Sequence, residues 1–194
     1  MNEARIAGYT YGKVPRSPVS LAELRELEET VGFTDDDRAC LIGASALLST
    51  HAEALVDGWR KIIGTQPHLA RWFFGPDQRP DEAYKAAVKP RFVRWIVDLA
   101  NRPLDQAWLD YQIEIGVRHT PAKKNVTDRA QTPPLVPLRF LIAFMAPVIM
   151  SLRPLLQAER LPPDEADRLQ AAWTKAVILS IALWSRPYAN EGLW

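Results

Sequence analysis

His119 is the residue of this chain best placed to do chemistry. It closes an apolar helix face begun by Trp108, Gln112 and Ile115, at i, i+4, i+7 and i+11. Pro121 follows at once and prevents the helix from continuing. A histidine in this setting has two readings. In the first it caps the helix C-terminus, where the macrodipole favours a cation. In the second it is a single axial ligand to haem iron, held over a large apolar pocket. Periodicity alone favours the cap, because a lone histidine is a weak motif. The iron reading carries a structural demand. An imidazole bound through Nε2 needs an acceptor for its Nδ1 proton, and the carbonyl of Ile115, one turn earlier, is the natural candidate.

The other reactive side chains offer less. His51 starts a helix among polar residues and reads as solvated; His68, between Pro67 and Leu69, reads as structural. No P-loop, GxGxxG, HExxH or CxxC pattern is present. Cys40 is the single cysteine, which excludes an internal disulfide framework, a cysteine-based zinc site and CxxCH haem attachment. Asp35, Asp36 and Asp37 read as helix-start charges. Lys and Arg total 24 against 23 Asp and Glu, a net charge of +1. That balance argues against a nucleic-acid partner, which needs a clustered cation excess.

The 194 residues are 47% hydrophobic, the profile of one soluble globular domain able to enclose a ligand. Met1 to Tyr11 lacks the apolar core of a signal peptide. The longest apolar run, Phe140 to Leu152, is about 13 residues, short of the roughly 20 that span a bilayer. It reads as a core helix, with no membrane partner and the cytoplasm as default location.

The elements that must position His119 are helical. Residues 1–19 form an irregular leader whose Ile6, Tyr9 and Tyr11 suggest packing. Ser20 to Glu23 is a capping box opening a helix with Leu21, Leu24, Leu27 and Val31 on one face. Thr34 caps a second helix, and the run from Cys40 to Ile63 covers this helix and the next. A short aromatic segment, Leu69 to Phe74, precedes the turn Gly75-Pro76-Asp77. A long helix then runs from Asp81 to Asn101, with Pro90 inside it. After the His119 helix comes a polar loop, Thr120 to Pro137. Two long helices finish the chain, one from Leu138 to Gln157, the other after Pro162-Pro163-Asp164, carrying Trp173, Val177, Ile181 and Trp184. No strand pattern competes, so the class is all-α. The aromatics Trp59, Phe73, Phe74, Phe92, Trp95 and Phe144 come from four helical segments and His119 from a fifth. Such convergence suits a flat apolar cofactor.

Several segments carry a family resemblance. They are Gly8-Tyr9-Thr10-Tyr11-Gly12, Pro67-His68-Leu69, and the run Asp105 to Gln112 continuing through Glu114, Gly116, Arg118 and His119. Lys123-Lys124-Asn125 with Thr127-Asp128 follows, then Ala182 to Ser185 with Pro187-Tyr188. From Gly8 to Tyr188 the chain resembles the protoglobins, single-domain haem proteins related to the sensor domains of globin-coupled sensors. The resemblance implies a globin fold, a three-over-three helical sandwich, enlarged by an N-terminal helix and the leader. Residues 20–194 would be the globin domain and 1–19 a leader packed near haem b. His119 falls on the proximal iron ligand. Trp59, Phe92 and Phe144 fall on distal aromatic positions, and Phe73 on an aromatic that packs on the haem. Val88 stands where most globins keep a distal histidine, and Arg91 matches a basic neighbour of the propionates. Ile115 and Val148 complete the expected haem contacts. The resemblance also implies a homodimer through the last two helices, which the Trp173 to Trp184 stripe fits.

One position departs from the family. A tyrosine usually follows the distal tryptophan, and here Arg60 does. A guanidinium is costly to bury unpaired. Either Arg60 reaches a propionate or solvent, leaving the distal site without a strong donor, or it points inward and favours anionic ligands such as nitrite, cyanide and fluoride. The lack of an evident carboxylate partner favours the first, although Glu53 and Asp57 lie on the same helix. The implied function is reversible binding of O2, CO and NO at a five-coordinate iron. The alternatives are a haem enzyme acting on NO, nitrite or peroxide, and a gas sensor acting through a separate partner.

Overall fold

The computed structural model describes residues 6–190 and 192–194. Among them are nine α-helices and two short 3-10 turns, with no strand beyond an isolated bridge between Phe74 and Pro80. The order is α1 Leu21–Val31, α2 Asp35–Gly43, α3 Ser45–Thr65, α4 Pro67–Ala70, α5 Glu82–Asn101, α6 Gln106–Val117, α7 Leu138–Met150, α8 Leu152–Ala158 and α9 Pro163–Ser185. The 3-10 turns are Arg71–Phe73 and Arg186–Tyr188. They form the globin sandwich preceded by an additional helix, α1.

The expected start signals operate. Ser20 Oγ accepts from the Glu23 amide and Glu23 returns a bond from the Ser20 amide, closing the capping box of α1. Thr34 and Asp37 do the same for α2. Asp37 also receives Lys175 at 2.8 Å, tying α2 to α9. Asp81 caps α5 through the Tyr84 amide, and Asp105 caps α6 through the Trp108 amide. Helices α2 and α3 meet at 71°. Pro90 lies within the continuous helix α5; lacking an N–H, it leaves the Ala86 carbonyl without its helical donor.

The stretch expected as one helix from Leu138 to Gln157 breaks at Ser151. Pro154 has no N–H to give the Met150 carbonyl, and its ring collides with that carbonyl. The break has a use: Ser151 Oγ accepts the Trp59 indole N–H at 2.8 Å. By length and composition Leu138–Ala158 passes as a membrane span, but Leu141, Met145, Val148, Leu152 and Leu156 point into the core.

The aromatic centre of the core is Trp95, whose ring lies 5.2 Å from that of Trp184 and 6.1 Å from that of Trp173. The stripe Trp173, Val177, Ile181 and Trp184 is buried in the chain's own core. It cannot be the dimer surface that the sequence suggested for it, because helices α2, α6 and α7 already pack on α9.

Helix α6 approaches α9 at Gly116. A Cβ there would sit 2.7 Å from the Trp184 carbonyl oxygen and 2.9 Å from its Cα. Gly116→Ala is therefore expected to destabilise the fold by about 1–3 kcal/mol through overpacking against backbone, despite the better helix propensity of alanine. Thermal unfolding checks this; an unchanged or raised midpoint would contradict the tight approach.

Candidate functional site

A cavity of about 350 Å³ opens between α3, α5, α6 and α7. Its wall includes His119, Ile115, Phe73, Val88, Phe92, Phe144, Arg60 and Arg91. Thus most of the candidate residues are brought together. Trp59 and Val148 are not in the wall. Trp59 packs behind Phe92, with ring centroids 5.1 Å apart, and its indole is drawn to Ser151. The Val148 side chain is fully buried, and its carbonyl accepts the Trp173 indole at 3.2 Å.

His119 is fixed from several sides. Its amide donates to the Gly116 carbonyl, and its own carbonyl accepts from the Val136 amide at 2.9 Å. Its ring stacks on Trp184 at 6.1 Å and 22°. Nδ1 lies 2.8 Å from the Ile115 carbonyl oxygen. A carbonyl only accepts, so Nδ1 carries the proton and the neutral ring keeps its lone pair on Nε2. Burial pushes the imidazole pKa down; the Ile115 hydrogen bond opposes this, while the charges of Lys124 and Arg118 assist it. The ring is thus held neutral and oriented, as a metal ligand must be. Among the described residues no group of three or more metal-binding side chains exists.

The remaining histidines lie elsewhere. His51 meets Glu159 at 3.0 Å, and the His68 ring packs 5.6 Å from Phe140. Neither lines the cavity. The apolar side chains Val88, Phe92 and Phe144 share the cavity wall with His119.

Arg60 lines the cavity, and among the described residues it has no hydrogen-bond or ion-pair partner. The two carboxylates on its helix are taken from across the groove: Lys89 of α5 binds Glu53 at 2.6 Å and Asp57 at 2.9 Å. Arg91 is neutralised by both oxygens of Asp128, at 3.0 and 2.5 Å, and donates to the Ala7 carbonyl.

Within the described part of the leader, residues 8–17 meet α5 and α6, and the Ser17 amide donates to Asp110 at 2.8 Å. Tyr9 donates to Asp98 at 2.6 Å, and Arg118 binds the Gly8 carbonyl and Thr10. Gly8 has φ +74°, and a Cβ there would meet Arg91 Nη1 at 2.6 Å. Close approach and backbone conformation both call for glycine.

Sequence reasoning missed Lys124, Arg118, Tyr84 and Trp72 in the wall. Lys124 lay in a polar loop without periodicity. Arg118 had a signal, its place beside His119, but that signal gave no direction for the side chain.

The comparisons with known proteins bear on the fold and on the family. The globin domain of a Geobacter sulfurreducens globin-coupled sensor superposes with a TM-score of 0.67. The match covers 86% of this chain and 97% of that domain, at 19% identity, and so bears on the fold. No curated protein matches in sequence. The Protoglobin family model matches residues 20–194, and with nine-tenths of its length so matched, the chain belongs to the protoglobin family, whose globin character implies haem binding.

Proposed function

We propose that this protein holds haem b through His119 Nε2 and binds diatomic gases reversibly on the opposite face. The observation that carries the reading is the His119–Ile115 hydrogen bond, which leaves Nε2 as a free, neutral donor atom in an apolar cavity. When bound, haem iron with one imidazole supplies an open coordination position for O2, CO or NO. The chain's own residues do the rest. Ile115 and Trp184 orient the imidazole. Val88, Phe92 and Phe144 line the distal side and exclude water. His51 and His68 are engaged elsewhere, which keeps the sixth position open. Arg91 and Arg118 hold the leader near the cofactor edge. Purified protein is expected to carry close to one haem per chain; a chain that neither retains nor takes up haem would refute the reading.

Arg60 supports a second reading, a site that also accepts anionic ligands or acts on nitrite or peroxide. An unpaired guanidinium at a cavity wall attracts developing negative charge.

The family's homodimer is a proposal that needs a different surface from the Trp173 stripe. Helices α7 and α9 pack together and leave Ile142, Met150 and Ile178 exposed, among small residues such as Ala146 and Ala171. Paired apolar helix faces of this kind suit an isologous contact. Ile142→Glu combined with Met150→Glu is expected to convert a dimer into a monomer by light scattering. A wild-type monomer, or a variant that stays dimeric, would contradict it.

A further inference from the structure

Lys124 is an exception among the buried charges. Asp98 is paired with Arg94 at 2.8 Å, Glu114 with Arg118 at 2.9 Å and Lys123 at 2.7 Å, and Asp37 with Lys175. Lys124 is only 4% exposed, and among the described residues no carboxylate reaches ion-pair distance of it. Its ammonium donates to the Trp72 carbonyl at 2.9 Å and to Thr132 Oγ1 at 2.6 Å. Thr132 gives its own proton to Asn125 Oδ1 at 2.8 Å, so it must accept from Lys124. The Tyr84 ring lies 5.0 Å from Nζ. Three N–H donors therefore meet two acceptors, both neutral. A buried cation with neutral partners alone is expensive, and burial pushes its pKa down to about 8.

A second unspent donor sits on the residue that Lys124 touches. The Trp72 indole nitrogen is buried and has no hydrogen-bond partner among the described residues. Lys124, Trp72 and Tyr84 all line the cavity. Arg91, the cation expected to meet the cofactor's acidic groups, is already neutralised by Asp128. Arg60 has no partner among the described residues but is only half-buried, so water can solvate it.

We infer that Lys124, assisted by the Trp72 indole N–H, is the receptor for a carboxylate of the cofactor, a haem propionate. The inference rests on the haem reading above. It explains why a lysine is kept where a neutral side chain would be cheaper: the missing counter-charge arrives with the ligand.

The test is haem release from the loaded protein to an excess of a haem-scavenging apoglobin, followed by absorbance. Wild type, Lys124→Met and Lys124→Arg are each loaded with haem and with haem dimethyl ester, which lacks the free carboxylates. With haem, Lys124→Met is expected to release about tenfold faster or more, the scale of a lost charge-assisted hydrogen bond, and Lys124→Arg to stay near wild type. With the dimethyl ester, wild type and Lys124→Met should release alike. Equal rates for wild type and Lys124→Met with haem would overturn the inference. So would equal acceleration with both cofactors, which marks a role in folding alone. If Lys124→Met does not fold, wild type decides: it must release the ester about tenfold faster than haem, and equal rates overturn the inference. Wild type that holds neither cofactor defeats the haem reading itself, a result distinct from all of these.

Discussion

His119→Ala is expected to speed haem loss by about a hundredfold or more and to remove the haem band from purified protein. The estimate starts from the effect of second-shell partners alone, which cost about 10–100-fold in metal affinity; loss of the ligand exceeds it. The competing helix-cap role makes a different and much smaller forecast. A cap at the dipole costs about 0.3–1 kcal/mol of stability and leaves any bound chromophore alone. The two outcomes differ in kind, and burial already weakens the cap, because it lowers the imidazole pKa and keeps the ring neutral. Imidazole supplied together with haem should fill the space left by the side chain and restore the band. A His119→Ala protein that purifies with full haem would sink the ligand assignment.

Arg60→Leu is the second substitution with a large expected effect. The guanidinium lines the cavity, and Lys89 has removed both carboxylates that might have turned it away. A hydrogen bond to a charged partner contributes about 1.5–3 kcal/mol, or roughly 10–100-fold in affinity. Fluoride binding to the ferric protein should weaken on that scale in Arg60→Leu, and oxygen should leave the ferrous protein faster. CO, which carries little charge, should be almost unaffected. Unchanged fluoride affinity would show that Arg60 turns to water and leaves the distal site apolar.

The legible features were those written locally in the chain. Ser20, Thr34, Asp81 and Asp105 announced four helix starts by capping chemistry that acts within a few residues. His119 and its Ile115 acceptor were legible because one helical turn relates them. The break at Ser151 was also local, since Pro154 encodes it, but the apolar run hid it. Features set by packing were not legible. Trp59 shared its aromatic type and helical spacing with the wall residues, yet the distant Ser151 hydroxyl drew its indole away from the cavity. The Trp173 stripe looked like an interface because periodicity marks a buried face without saying what buries it. Lys124 became visible only when burial and the absence of a carboxylate could be read together.

The absorption spectrum of the reduced protein, before and after CO, tests the central claim most directly. One neutral imidazole and a distal face without a second ligating side chain require a five-coordinate, high-spin ferrous spectrum that converts to a six-coordinate form with CO. A low-spin, six-coordinate ferrous spectrum before any gas is added would mean that a second side chain closes the site, and the account of an open gas-binding position would be wrong.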